Sequence, residues 1–170
     1  MLARVKSPAW FVNAARRTAR AFVPSLARPD DAFAAAWLPP EEHALYARMD
    51  PRDRDHACRV ARAVLALAPE PDPVVVRAAL LHDVGKAEAP YRAWERIAVH
   101  VYTPAQDVSE RCYGRSLTTA WRRHRSHAER GAAMVLAAGG DPRVAALVGA
   151  HHDAEGPDGL ALLRRADART

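Results

Sequence analysis

The sequence predicts an all-α protein with about seven to nine helices. Between turn signals, apolar residues recur at helical spacing, as Val60, Val64 and Leu67 do. Residues that favour helix starts occur repeatedly along the chain. No segment combines alternating apolar and polar residues with a hairpin turn, so we predict no paired strands.

Five segments carry the signals of helix starts. Three Asp-Pro pairs each place a carboxylate at an N-cap and a proline at the first helical position, where its missing N–H is not needed. A fourth segment places acidic groups in a first turn, and a fifth has the Ser-x-x-Glu pattern of a capping box. These segments are Asp50-Pro51, Asp72-Pro73, Asp141-Pro142, Pro39-Pro40-Glu41-Glu42 and Ser126-His127-Ala128-Glu129.

Two further segments bear on where helices lie. The run Val74-Val75-Val76 is β-branched, but it follows a helix-starting proline and leads into Ala78-Ala79-Leu80-Leu81. We therefore predict a buried helix there rather than a strand. The pair Gly139-Gly140 predicts the end of the helix that contains Met134.

Residues 1–48 are predicted to form an N-terminal helical arm, and residues 49–170 the main domain. Within the first 25 residues, apolar side chains share one helical face and arginines lie largely away from it. This basic amphipathic helix either contacts a membrane surface or a partner, or packs its phenylalanines on the domain, which we favour. The apolar face comprises Phe11, Ala15, Ala19 and Phe22, and the arginines are Arg16, Arg17 and Arg20.

Composition sets broad limits on the protein class. The chain has 170 residues, 49% of them hydrophobic, which suits one globular domain. No apolar run approaches the roughly 18 residues needed to span a bilayer, so we expect a cytoplasmic protein. Cys58 and Cys112 are too few for a disulfide framework and are expected to be free thiols. A net charge of +5 suits anionic partners without selecting one.

The eight histidines fall into two groups. His43 and His100 have no companion ligand nearby, and His124 lies in a basic run, so we interpret these three as surface or structural residues. The other five are candidates for a functional site, namely His56, His82, His127, His151 and His152.

The pair His82-Asp83 follows an apolar helix, where burial of an unpaired imidazole or carboxylate is costly. A divalent metal would satisfy both side chains. An isolated His-Asp dipeptide would nevertheless favour a hydrogen-bonded core histidine, so the flanking motifs matter.

The segment Leu80-Leu81-His82-Asp83-Val84-Gly85-Lys86 resembles the hallmark of the HD superfamily of metal-dependent phosphohydrolases. It is close to the His-Asp-Ile-Gly-Lys (HDIG) form, which points to a bacterial branch. His56 and Asp167 supply the flanking ligands in the family's order. The segments His127-Ala128-Glu129-Arg130-Gly131 and His151-His152-Asp153 resemble its His-x-x-x-Gly and His-His-Glu elements.

The resemblance extends from about residue 50 to residue 168 and implies an HD-domain helical bundle carrying the extra N-terminal arm. It also implies one or two divalent metal ions, which could be iron, manganese, zinc, magnesium or similar. The first ion would be held by His56, His82, Asp83 and Asp167, and the second by His127, His151 and a bridging Asp83. His152 stays open, because adjacent helical positions point about 100° apart.

The activity implied by the resemblance is hydrolysis of a phosphate ester or anhydride by a metal-activated hydroxide. Asp83 and Lys86 are the predicted catalytic residues. Lys86 lies three residues after Asp83, on the same side of a continued helical turn, and is expected to bind a substrate phosphate. Arg59 is a second candidate for substrate binding, with a surface helix arginine as the alternative.

Departures from the family pattern narrow the substrate. The chain lacks the Gly-Tyr-Pro loop of cyclic-dinucleotide members after Asp153, and Arg52 stands where some trinuclear members carry a glutamate. We therefore favour a nucleotide or dinucleoside polyphosphate over a cyclic dinucleotide. Aromatic residues of the insertion 89–125 either stack on a base or pack a helix pair. They are Tyr91, Trp94, Tyr102, Tyr113 and Trp121.

Two other functions stay open at this point. The domain could bind a nucleotide or a protein partner without turnover, although six intact ligands argue against it. Nucleic-acid binding is suggested by charge alone and is the less favoured expectation.

Overall fold

The computed structural model describes residues 27–87 and 109–170 and, between them, residues 92, 94, 95, 98, 99, 102 and 104. This part of the chain contains eight α-helices, one 3₁₀ turn and no strand, which confirms the all-α class. The helices are α1 (Asp31–Trp37), α2 (Pro40–Ala47), α3 (Pro51–Leu67), α4 (Pro73–Leu81), α5 (Glu110–Tyr113), α6 (Arg115–Ala137), α7 (Pro142–Ala150) and α8 (Leu160–Asp167); the 3₁₀ turn is Val84–Lys86.

Several of the sequence interpretations concern residues outside this part. The amphipathic helix within residues 1–25 lies there, as do Tyr91 and His100. Among the described helices, none combines the length and apolar character needed to cross a bilayer.

The helices that follow the Asp-Pro pairs begin where the sequence predicts. The side chains of Asp50, Asp72 and Asp141 each accept a hydrogen bond from the backbone N–H two residues later, ahead of α3, α4 and α7. Helix α2 likewise begins at Pro40. All four starts are confirmed, and the three aspartate caps form within a few residues and need no distant partner.

The helix start predicted at Ser126 is wrong. Ser126 lies within α6, where its hydroxyl donates to the carbonyl of Arg122 over 2.9 Å. Inside a helix this side chain satisfies the carbonyl four residues earlier and does not cap. Buried Ala120 and Trp121 already hold the preceding turns in place, so the helix continues through the serine.

Helix α4 lies at the centre of the core. Seven of its residues are buried, including the run Val74, Val75 and Val76, which confirms a buried helix there. Helices α3, α7 and α8 pack around it, and α6 packs against α7 and the 3₁₀ turn. The predicted helix end at Gly139 is also confirmed, because α6 ends at Ala137 and Gly139 adopts φ 79°.

Helix α2 is tied to the core by a buried charge. The fully buried carboxylate of Glu42 accepts bonds from Nε and Nη2 of Arg77 on α4, at 2.9 and 2.6 Å. It also accepts the backbone N–H of Asp141, at 3.2 Å. The hydrogen bond to Glu42 raises the pKa of Arg77. One carboxylate therefore connects α2, α4 and the start of α7.

Candidate metal centre

Seven side chains from five helices converge beside the 3₁₀ turn. Five of them lie at or just beyond the end of a helix, and the other two lie within a helix. His56 lies on α3 and His127 on α6, His82 and Asp83 follow α4, His151 and His152 follow α7, and Asp167 ends α8.

The first cluster consists of His56, His82 and Asp167, whose ligand atoms all lie within 4.8 Å of one another. Nε2 of His56 is 3.0 Å from a carboxylate oxygen of Asp167. Burial by itself would raise the pKa of Asp167, but the bond from His56 and the nearby His82 lower it well below its usual range. The carboxylate of Asp167 in the first cluster is therefore ionised.

The second cluster consists of His127, His151 and His152, whose ligand atoms also lie within 4.8 Å of one another. Nε2 of His127 is 3.2 Å from Nε2 of His151 and 3.2 Å from Nε2 of His152. Helix α7 ends at Ala150, so the expected divergence of adjacent helical positions does not separate the two rings, whose centroids are 3.9 Å apart. The structure thus places His152 with the predicted ligands.

Asp83 lies between the two clusters. One of its carboxylate oxygens is 3.3 Å from Nε2 of His127, and the other is 3.6 Å from Nε2 of His82 and 2.6 Å from Nζ of Lys86. Burial alone would raise the pKa of Asp83, but Lys86 and the imidazoles of His82 and His127 hold it well below its usual range. The carboxylate between the clusters is therefore ionised.

A close backbone approach sets the distance between Asp83 and His127. A Cβ at Gly85 would lie 2.0 Å from the carbonyl oxygen of His127 and 2.8 Å from the backbone nitrogen of Gly131. Only glycine lets the 3₁₀ turn lie this near α6. The glycine of the His-Asp-x-Gly-Lys segment therefore has a structural reason in this fold.

Backbone hydrogen bonds orient three of the imidazoles. The Nδ1 atoms of His82, His127 and His151 lie 2.9, 2.5 and 2.7 Å from the carbonyl oxygen three residues earlier. A carbonyl only accepts, so Nδ1 of each ring donates to it, and Nε2 is the ring atom that faces the other candidate ligands. Burial, with His82 nearby, lowers the pKa of His151 to about 3, which keeps that ring neutral.

The donor set fits a divalent metal. Nε2 of His127 lies 3.2 Å from Nε2 of His151 and 3.3 Å from a carboxylate oxygen of Asp83, and one cation beside these three atoms would be coordinated by all of them. Imidazole and carboxylate donors together suit first-row transition ions, and carbonyl bonds at the opposite ring nitrogen are typical of metal-bound histidines.

Comparison with known families agrees with this geometry. Residues 54–170, more than half of the chain, match a family model described as HD domain. The chain belongs to the HD-domain family. Neither the curated proteins nor the solved structures compared with it include a match. The family consists mostly of metal-dependent phosphohydrolases, while the HDIG subtype and the bacterial branch stay predictions.

One histidine that the sequence interpretation set aside lies against the metal centre of this HD domain. The ring of His124 stacks on that of His127, with centroids 5.4 Å apart, and its centroid is 6.4 Å from that of His152. The spacing of three residues between His124 and His127 on one helix was the signal for this contact. His43 instead stacks on Tyr46, with centroids 6.0 Å apart.

The two predicted substrate-binding residues lie in different settings. The ammonium of Lys86 contacts Asp83 inside the metal centre of the HD domain. Arg59 donates through Nη1 to the carbonyl of Thr170 over 2.9 Å, and its Nε lies 3.4 Å from Asp55. The hydroxyl of Thr170 is in turn 3.5 Å from Nδ1 of His56. Arg59 thus supports the surroundings of the first cluster, and its contact with substrate stays a prediction.

Proposed function

We propose that this HD domain hydrolyses a phosphate ester or anhydride of a nucleotide or dinucleoside polyphosphate. The observation that carries the proposal is the position of the ionised Asp83 carboxylate between two groups of converging metal donors. The first cluster would hold one ion and the second cluster another, with Asp83 within reach of both. A bound divalent metal supplies a Lewis acid for the phosphoryl group and activates water for attack.

The protein's own side chains bind and orient the phosphate. Lys86 adds a positive charge at the wall of the centre, and its ammonium is fixed by Asp83 at 2.6 Å. An ammonium held in this way can donate to a phosphate oxygen and offset charge that develops there during hydrolysis. The side chain is only 10% exposed, so this interaction would form largely away from bulk water.

The contacts of Arg52 support a linear nucleotide rather than a cyclic dinucleotide as the substrate. Arg52, at the position where some family members carry a glutamate, forms two bonds to Asp50, at 2.8 and 2.9 Å. The guanidinium therefore binds the N-cap residue of α3, and this position supplies no carboxylate to a third metal ion. This favours a centre for two ions and a linear phosphate chain over a cyclic dinucleotide.

The test combines metal analysis with hydrolysis. The purified chain is assayed for bound transition metals and then for phosphate release from nucleotides and dinucleoside polyphosphates. Asp83→Ala is expected to lower turnover by at least about 100-fold. Asp158→Ala is the matched control, because Asp158 is an exposed aspartate in the loop beside the other end of α4.

The result that would overturn the proposal is equally concrete. Turnover that is the same in Asp83→Ala and wild type would assign hydrolysis to a contaminant. A wild-type chain that holds no metal and releases no phosphate from any member of the panel would leave nucleotide binding without catalysis as the function.

A further inference from the structure

Exposed aromatic rings are concentrated in the part of the chain that precedes α6. The described residues include four exposed large hydrophobic side chains, and three of them, Trp94, Tyr102 and Tyr113, are aromatic residues from this region. Tyr102 is 60% exposed and Tyr113 is 50% exposed, whereas Trp121 beneath them is only 3% exposed. The aromatic residues predicted from the insertion therefore divide, with Trp121 packing the core and the two tyrosines reaching the surface.

Trp121 holds both tyrosines in place. Its ring contacts that of Tyr102 at 6.1 Å and that of Tyr113 at 5.2 Å between centroids, with the planes at 87° and 73°. Its indole N–H donates to the carbonyl of Tyr102 over 2.7 Å. These edge-to-face contacts orient each tyrosine against the indole while leaving half or more of it exposed. We call Tyr102, Tyr113 and Trp121 the aromatic patch.

The aromatic patch lies along the same helix as the metal centre. Trp121, His124 and His127 follow one another at intervals of three residues on α6, which form a ridge on a helix surface. At about 1.5 Å and 100° per residue, Trp121 and His127 are about 9 Å apart along the helix axis and about 120° apart around it. The ring of His124, between them, contacts His127 of the second cluster.

Two hydrogen bonds attach described residues before α6 to this helix. The carbonyl of Tyr102 accepts from Trp121, and the carbonyl of Pro104 accepts from Nη1 of Arg125 over 2.9 Å. Trp121 and Arg125 are four residues apart on α6, so these two bonds attach residues 102 and 104 to neighbouring turns of that helix. The exposed tyrosines and the metal centre are therefore positioned by one rigid element.

We propose that the aromatic patch is a base-binding subsite, at which Tyr102 and Tyr113 stack on the nucleobase of a nucleotide whose phosphates occupy the metal centre. Exposed aromatic rings on a fixed support stack on any base, because every base has a π-face. The separation along α6 suits a ribose and a short phosphate chain. The assignment of the phosphate end rests on the proposed function, whereas the base-binding role of the tyrosines does not require turnover.

The first experiment compares two probes that share a phosphate chain. Rates for adenosine triphosphate and inorganic tripolyphosphate are measured with the full chain, Tyr102→Ala/Tyr113→Ala and Tyr102→Phe/Tyr113→Phe. The alanine pair is expected to raise KM for adenosine triphosphate about tenfold with little change for tripolyphosphate, since stacking contributes that much per base. The phenylalanine pair keeps the rings and should resemble wild type.

Leu136→Ala is the matched control, because it removes an exposed apolar side chain from the far end of α6. Its KM for both probes should equal that of wild type. An equal rise for both probes in the alanine pair, or no rise for either, would overturn the base-binding subsite.

The second experiment separates this proposal from the proposed function. Adenosine has no phosphate, so its binding is followed by saturation-transfer difference NMR without any turnover. Wild type and the phenylalanine pair are expected to give signals on the adenine protons that the alanine pair loses. If no phosphate is released from any member of the nucleotide and dinucleoside polyphosphate panel but this pattern holds, the subsite stands and the proposed function fails. If a member of the nucleotide panel is hydrolysed but adenosine gives the same signal in all variants, the subsite fails and the proposed function stands.

Discussion

The two candidate metal clusters differ in the carboxylates that they contain. The first cluster contains Asp167, whose ionised carboxylate lies 3.0 Å from His56. The second cluster consists of three imidazoles, and Asp83 contacts it through His127 at 3.3 Å. An ion in the first cluster would thus have the carboxylates of both Asp167 and Asp83 nearby, whereas the second cluster relies on Asp83. Because carboxylates offset the charge of a dication and neutral imidazoles do not, we expect the first cluster to hold its ion more tightly.

The clusters also differ in what positions them. The first cluster joins α3 and α8 to the end of α4, the central helix of the core, whereas the second cluster joins α6 to the end of α7. The contact between α6 and the rest of the centre depends on the close approach at Gly85. Distortion of α6 should therefore affect the second cluster before the first.

The largest effect is expected from removal of one ligand in each cluster. Asp167→Asn keeps the shape of the first cluster but removes its charge, and His127→Ala removes one of the three imidazoles of the second. Each change should lower the metal affinity of its own cluster by at least about 100-fold. Loss of a residue that only orients a ligand lowers metal affinity by about 10- to 100-fold, and loss of the ligand itself should cost more. Stepwise removal of metal from wild type with a chelator should show a weak phase and a tight phase.

The two variants assign these phases. His127→Ala should lack the weak phase, and Asp167→Asn should lack the tight one. The opposite assignment would reverse the order of affinity inferred from charge, and a single phase in wild type would contradict two separate ions.

An intermediate effect is expected from Gly85→Ala. The added methyl would meet the backbone of His127 and Gly131, which cannot rotate away, so α6 must shift from the 3₁₀ turn. We expect the free energy of unfolding to fall by about 1–3 kcal/mol in urea titrations. The second cluster should also lose its ion at lower chelator concentration, while the first cluster changes less.

Gly149→Ala serves as the comparison for that variant. Gly149 also faces α6, but its nearest neighbour there is the side-chain methyl of Ala132, at 3.3 Å. A similar loss of metal in both variants would mean that helix packing in general, and not the approach at Gly85, positions the second cluster.

The smallest effect is expected from Arg59→Ala. This change removes the bond to Thr170, whose hydroxyl lies near His56, so metal affinity of the first cluster should fall by about tenfold or less. Arg62→Ala is the control, because Arg62 lies one turn away on α3 and pairs with Asp30. Unchanged metal affinity with a raised KM for substrate would instead support direct contact between Arg59 and a phosphate, as the sequence suggested.

Local patterns predicted much of the fold. The Asp-Pro pairs located three helix starts, because an aspartate cap forms its bond two residues away and needs no distant partner. The same kind of pattern gave a wrong helix start at Ser126. A serine hydroxyl can either cap a helix start or donate to the carbonyl four residues earlier, and Ser126 does the latter. Packing of Trp121 and Ala120 against Val99 keeps the turns before Ser126 helical, so the helix does not begin there.

The sequence predicted which residues form the candidate site, but not which of them contact one another. The family resemblance named His56, His82, Asp83, His127, His151 and Asp167 in chain order. His124 was set aside because its neighbours in sequence are arginines, although its neighbour in space is His127. The burial of Glu42 was also unexpected, because its partner Arg77 lies 35 positions along the chain.

The sequence by itself determined the helical class, most helix starts and the residue types that can bind metal, since these depend on spacing and side-chain chemistry. Only the tertiary structure decided that His152 joins His127 and that Asp83 lies between two clusters. It also decided that two exposed tyrosines pack on Trp121 of α6, the helix that carries His127. These arrangements depend on distances between segments far apart in the chain, which local preferences do not set.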